Sequence, residues 1–422
     1  MNLASKREAG NISRVRAASG VGSLGAGVIL RLCLCLVALP GLAAQDLSPT
    51  RGAEPVVSLS PDNTSLRNEI QHSIDLGLGW LKANQNTNGW WHSADYPAVT
   101  GLAVTAFHGD PMDRYRSQPP ETLKRAYAYL LSHVREDGGI YVSNLPTYNT
   151  AIGMMAFVTS NQPEYDSVIR RARGFLTGVQ RDFGEPGKLD SPFDGGFGYG
   201  LPTDTVSDMS NTLMALEAMH YSKRWDTDQP TVSSRELNWA AAIHFLQSCQ
   251  NLPSHNSQSW VSSDARDLGG FVYHAGRSNA GGTTNATTGR LTLRSYGSIS
   301  YAGLLSYLYA ELDREDPRVR AVFEWLKANY TLQENPGMGA QGLYFYYHTM
   351  TRALSTAGID ELELADGTRV NWRQQLALKL IQLQNRDGSW SNHNARWWEK
   401  EPELTTSYMV LSLETVWNGL GD

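Results

Sequence analysis

From Leu66 onward the chain alternates between two kinds of apolar pattern. Leu66, Ile70, Ile74, Leu78 and Leu81 fall at helical spacing on one face, with polar residues between them. A turn follows, Gln85-Asn-Thr-Asn-Gly-Trp-Trp91, and then a stretch apolar nearly all round, Ala98 to Phe107. The same order recurs near the end: Leu376, Leu380 and Leu383, then Gln384-Asn-Arg-Asp-Gly-Ser-Trp390, then Leu404 to Leu413. The unit is helix, Gly-aromatic turn, helix.

Weaker copies fill the interval. Leu123–His133 leads through Asp137-Gly-Gly-Ile140 to Tyr148–Val158, and Val168–Gln180 leads through Gly195-Gly-Phe197 to Ser207–His220. Leu237–Gln250 leads through Gly269-Gly-Phe271 to Tyr296–Leu312, and Val319–Tyr330 leads through Gly342-Leu-Tyr344 to His348–Ala357. Six helical hairpins result, none able to bury its apolar face alone, so neighbours must stack. The expected fold is all-α, an (α/α)6 toroid with inner and outer helix rings; an open superhelix is the alternative.

The Q-x-x-x-G-x-W turns at Gln85–Trp91 and Gln384–Trp390, with the GGF variants, resemble the prenyltransferase and squalene oxidase repeats of the α/α-toroid superfamily. That superfamily includes class II terpene cyclases and protein prenyltransferase β subunits. The resemblance spans about residues 66–420 and implies a central cavity entered where the inner helices begin. It also implies that the turn Gln caps a helix and the Trp packs on a neighbour, which assigns Gln85, Trp91, Gln384 and Trp390 to stability rather than chemistry.

The amino terminus is a different kind of segment. Lys6, Arg7, Arg14, Arg16 and Arg31 precede the apolar run Leu32–Leu39, and small residues follow through Ala44. This pattern predicts a secretory leader over residues 1–44, with a retained anchor as the alternative, then a Ser/Pro-rich linker over 45–65 and the toroid over 66–422. The expected location is therefore secreted or periplasmic, with no stable membrane span once the leader is removed. Two of the three cysteines, Cys33 and Cys35, lie in the leader, so Cys249 alone remains and no internal disulfide is expected. With 36 Lys and Arg against 42 Asp and Glu, and no basic run, a nucleic-acid partner is not expected.

The chemistries implied by the resemblance do not map cleanly onto these residues. No D-x-D-D occurs, and Asp226-Thr-Asp-Gln229 falls in a loop. Tyr347-His348-Thr349 resembles the histidine segment of the prenyltransferase zinc site, but the paired ligand positions fall on Arg294-Ser-Tyr296. One histidine cannot hold zinc, so no metal or other cofactor is expected. The remaining candidates lie at inner-helix starts. They are His348, Arg294, Tyr296 and Tyr347 as catalytic residues, with Asp204, Asp208, Asn211, Tyr301, Tyr344 and Arg352 as ligand-binding residues. The Gly/Thr/Asn-rich stretch 279–289 and the Gly/Pro stretch 334–341 are candidate lids.

Three functions fit this pattern. The first is a secreted terpene cyclase-like or prenyltransferase-like toroid holding an isoprenoid-like or other apolar ligand in its cavity. The second is a polysaccharide lyase-like enzyme, in which Arg294 neutralises a uronate while His348 and a tyrosine exchange protons on an oligosaccharide. The third is a non-enzymatic protein-binding scaffold. The sequence leaves the oligomeric state open.

Overall fold

The computed structural model describes residues 63–201, 203–226 and 236–421. The expected leader and nearly all of the expected linker lie outside these residues. Twelve α-helices among the described residues form the six hairpins. The outer helices are α1 (Thr64–Ala83), α3 (Glu121–Ser132), α5 (Asp166–Val179), α7 (Trp239–Ser248), α9 (Pro317–Ala328) and α11 (Trp372–Leu383). The inner helices are α2 (Pro97–Gly109), α4 (Pro146–Ser160), α6 (Met209–Tyr221), α8 (Gly297–Tyr309), α10 (Leu343–Thr356) and α12 (Pro402–Gly419). Two antiparallel ribbons decorate the loops, β1 (Gly282–Thr284) with β2 (Leu291–Leu293) and β3 (Leu362–Glu363) with β4 (Arg369–Val370).

Each inner helix packs on the inner helices of the hairpins beside it, and α12 packs back on α2. The ring is closed, so the fold is the (α/α)6 toroid and not the open superhelix. None of the described helices is long and apolar enough to cross a membrane.

The repeated turn explains how the ring is built. Trp91 and Trp390 are fully buried, and each indole N–H donates at 2.8 Å to a carbonyl in the last turn of its own outer helix, Leu81 and Leu380 respectively. Both carbonyls lie in the last turn, where the helical hydrogen-bond ladder runs out, so the tryptophan both fills the core and helps to complete the helix end. The glutamine reaches across to the next hairpin. Gln85 Nε2 donates to its own turn at Gly89 O (3.0 Å) and to Thr122 O of α3 (2.8 Å). Gln180 and Gln250 make the same double bond to Asn238 O and Arg318 O. In the sixth hairpin Gln384 binds Gly388 O and Ser73 O of α1, both at 2.9 Å, and joins the two ends of the ring. Gly89 sits at φ 97°, where a Cβ would lie 2.2 Å from Arg125 O, so only glycine lets the turn approach the neighbouring helix this closely.

A third element ties turn to inner helix. The backbone N–H of Trp91, Ile140, Phe197, Phe271 and Trp390 donates to Thr100, Thr150, Thr212, Ser300 and Thr406. The fifth hairpin departs from the pattern. Gly342 is the left-handed N-cap of α10 rather than part of a separate turn, and α10 starts at Leu343, five residues before the expected start at His348.

Candidate functional site

Because the hairpins run the same way around the ring, all inner helices begin at one end of the lumen and finish at the other. The lumen is divided between two chambers. The upper chamber, at the helix starts, has a volume of about 420 Å³. The lower chamber, at the helix ends, has about 600 Å³. Met214 lines both. At the same level His348, which lines the lower chamber, stacks on Tyr408, which lines the upper, with ring centroids 4.8 Å apart.

The upper chamber presents aromatic and aliphatic faces: Tyr96, Tyr148, Phe345, Trp397, Trp398 and Tyr408, with Val99, Met214, Ile299 and Leu404. Its hydroxyls are directed at one another or at amides. The Tyr148 and Tyr408 oxygens are 3.1 Å apart, and Asn279 Nδ2 donates to the Tyr296 hydroxyl oxygen at 3.2 Å. Glu399 is the carboxylate on its wall. Burial pushes its carboxyl above the usual carboxylate range, while its oxygens accept from Phe345 N at 2.7 Å and Asn392 Nδ2 at 2.6 Å. Glu399 thereby caps α10, whose own N-cap, Gly342, has no side chain to do so. Backbone strain also collects here: Leu145, Trp397 and Trp398 all line the chamber with φ of 52°, 57° and 63°. Non-glycine residues in that region persist only where surrounding structure demands them, and they cluster at ligand sites.

The lower chamber mixes aliphatic walls from α2 and α4 with ionisable groups. Arg352 pairs with Glu217 and donates to the Tyr309 hydroxyl at 3.0 Å. Burial works against the Arg352 charge, but Glu217 and the neighbouring tyrosines outweigh it and hold the guanidinium firmly protonated. His348 is only 3 % exposed; burial, then Arg352, keep it well below the ordinary histidine range, so its imidazole is neutral.

The structure does not assemble the expected catalytic set. Tyr296 lines the upper chamber and His348 the lower, while Arg294 is exposed and lines neither. Arg294 is held through its backbone, with its N–H donating to Gly281 O and its carbonyl accepting from Ser278 Oγ. Tyr347 is fully buried away from both chambers and donates to Leu332 O at 2.7 Å. The lyase-like trio of Arg294, a tyrosine and His348 is therefore spread over three places.

Of the expected ligand-binding residues, Asn211 lines the upper chamber and Arg352 the lower. The other four line neither chamber. Asp204 pairs with Arg181 at 3.1 Å and closes a loop through Gly200 N and Leu201 N. Asp208 is the N-cap of α6. Tyr301 packs on Tyr346 at 5.6 Å, and Tyr344 donates to Ser391 O. Of the two candidate lids, the 279–289 stretch carries β1, and Asn279 reaches the upper chamber, whereas Asn335 of the second is packed against the start of α8 through Ser298 N. Near the upper chamber His92, Glu401 and Glu403 place ligand atoms within 4.8 Å of one another, the group among the described residues that could hold a divalent ion.

Trp397, Trp398, Glu399, Tyr273, Glu217 and Glu414 were not anticipated as lining residues. For Glu217 and Glu414 a signal exists: each is an acid inside an otherwise apolar inner helix, as in Leu411-Ser-Leu-Glu-Thr415. An acid placed there must be paired, neutral or functional.

These features define the fold as a closed (α/α)6 toroid. Among solved structures the chain is similar to a ligand-free variant of the type II terpene cyclase MstE from Scytonema, with 13% identity and a TM-score of 0.51 over 85% of this chain and 99% of that one. It is also similar to ligand-free MstE itself, at 14% identity and a TM-score of 0.50, over 84% of this chain and 99% of that one. No protein-family model matches the sequence, and no curated protein is similar to it in sequence.

Proposed function

We propose that the protein is a terpene cyclase-like toroid that takes an apolar, isoprenoid-class molecule into its central lumen. The observation that carries this reading is the upper chamber, where nine aromatic side chains line a cavity whose polar groups are largely occupied by one another. Such a surface rewards hydrocarbon burial and offers few unmet hydrogen bonds to a sugar. Its π faces are also the groups suited to steadying positive charge on a bound hydrocarbon. The terpene cyclase fold supports the same reading, and the leader-like amino terminus supports placing the binding outside the cytoplasm. The separation of Arg294, Tyr296 and His348 removes the geometric basis for the lyase alternative.

The test is native mass spectrometry after incubation with geranylgeraniol or with an oligogalacturonate. A one-to-one isoprenoid adduct that weakens in Val99→Phe and Leu404→Phe, both of which narrow the upper chamber, is the expected result. An adduct with the oligosaccharide alone would overturn the reading.

A further inference from the structure

The lower chamber carries a feature that apolar binding in the upper one does not require. Glu414 of α12 lines it, is 3 % exposed, and neither carboxyl oxygen has a hydrogen-bond partner among the described residues. It packs against Gly109 at the end of α2, where a Cβ would stand 2.1 Å from Glu414 Oε2. The missing side chain at 109 thus makes the seat in which the carboxyl sits.

His108, the residue before, brings a second open atom to the same chamber. Its Nε2 lies 2.7 Å from the Tyr127 hydroxyl, and that hydroxyl donates its one hydrogen to Ala156 O at 2.9 Å. Nε2 must therefore be the protonated nitrogen, leaving Nδ1 as a bare acceptor, buried and unpartnered. Burial pushes the Glu414 carboxyl well above the usual range, with Asp110 adding to it, and lowers His108 to about 4, so both groups are uncharged near neutral pH. A neutral carboxyl offers one donor and one acceptor, and Nδ1 offers a further acceptor. Buried polar atoms without partners each cost about 1–3 kcal/mol, so a fold that keeps four of them, these three and His348 Nδ1, on residues lining one chamber points to a ligand that completes them.

We infer that the lower chamber is a second binding compartment, built to seat the neutral hydroxyl head of an apolar alcohol on Glu414 and His108 with its chain along the α2 and α4 walls. The walls are supplied by Leu102, Ile152, Met155 and Val158. A cationic head is opposed by Arg116, Arg224 and Arg352, which line the same chamber. An anionic head would meet Glu217, already paired with Arg352. The inference stands on the lower chamber alone and does not require that the upper one bind hydrocarbon.

The test compares farnesol with farnesene, its counterpart without the hydroxyl, by isothermal titration of the full chain, with farnesylamine and farnesoate as charged controls. Wild type is expected to prefer farnesol by about tenfold, the factor that about 1.4 kcal/mol of hydrogen bonding supplies. Glu414→Leu should remove that preference while raising the melting temperature, and Glu414→Gln, whose amide keeps a donor and an acceptor, should retain most of it. Gly109→Ala, which displaces the carboxyl from its seat, should weaken it independently. An unchanged farnesol preference in both Glu414→Leu and Gly109→Ala, or tighter binding of either charged analogue by wild type, overturns the inference. Failure of the upper-chamber reading is distinguishable, since it would leave Val99→Phe without effect whatever Glu414 does.

Discussion

The two ends of the lumen solve the same burial problem in opposite ways. At the upper end polar groups come in partnered sets: Asp208 and Glu399 are engaged by helix N–H groups, and Tyr148 faces Tyr408. Of the side chains lining that end, Asn211 alone has an unpartnered buried atom, Oδ1. On the residues lining the lower end, His108 Nδ1, His348 Nδ1 and both Glu414 oxygens are buried without a partner among the described residues. Helix starts present N–H groups that satisfy acids, whereas helix ends present carbonyls that cannot, so an acid at the lower end must find another partner or stay neutral. The upper end is thus self-sufficient and apolar toward a ligand, and the lower end is incomplete.

The largest expected effect tests the shell that holds both chambers. Trp390→Ala removes a fully buried indole and the bond that completes α11 beside the ring closure, and should cost about 3–5 kcal/mol in chemical denaturation. Unchanged stability would mean that the closure at Gln384 and Trp390 does not hold the ring.

Next comes acidity. The pKa of His108 falls from 6.5 to about 4 on folding, so the folded chain binds fewer protons than the unfolded one between those values. Stability from this group is therefore complete above pH 6.5 and is lost as pH falls toward 4, by about 3 kcal/mol. Glu414 acts in the other direction. Its folded pKa is raised, so its stabilisation is present below the ordinary glutamate pKa and declines as pH rises toward the folded value. Thermal melts from pH 4 to 8 should show a shallower acid limb in His108→Asn and a flatter alkaline limb in Glu414→Gln. Identical curves for the three proteins would contradict the assignment of neutral groups to the lower end.

Two smaller effects sharpen the contrast. Glu414→Leu replaces an unpartnered acid with an apolar group and should stabilise the ligand-free protein by about 1–3 kcal/mol, read as a shift of the denaturation midpoint. Gln384→Leu gives up two bonds to backbone carbonyls and should destabilise by about 1–2 kcal/mol in the same assay. Opposite signs for these two buried polar residues are what separates a group kept for stability from one kept for a ligand.

The hairpins could be read from the chain because each turn repeats the same physics. Glycines such as Gly89, Gly138, Gly195, Gly269 and Gly388 approach the neighbouring helix, Trp91 and Trp390 help to complete the helices behind them, and Gln85, Gln180, Gln250 and Gln384 each bond both their own turn and the next outer helix. The fifth hairpin was placed less well, since Tyr344 to Tyr347 resembles a turn followed by a helix only when Gly342 is assumed to repeat Gly89; in the fold those tyrosines already lie in α10. The site was partly legible. Asn211 and Tyr296 follow directly from being near inner-helix starts, and Arg352 follows from the helical register of α10. Arg294 lines neither chamber, since it precedes α8 on the ribbon side, where its side chain is exposed. Trp397, Trp398 and Glu399 come from an aperiodic connection whose left-handed residues carry no repeat signal.

The most direct test of the central claim is a crystal structure of the chain grown with geranylgeraniol. The account predicts continuous ligand density inside the ring, in contact with Tyr148, Phe345 and Tyr408 and oriented along the inner helices. Density for the ligand only on the outer helices, with the lumen unoccupied by it at saturating concentration, would contradict it.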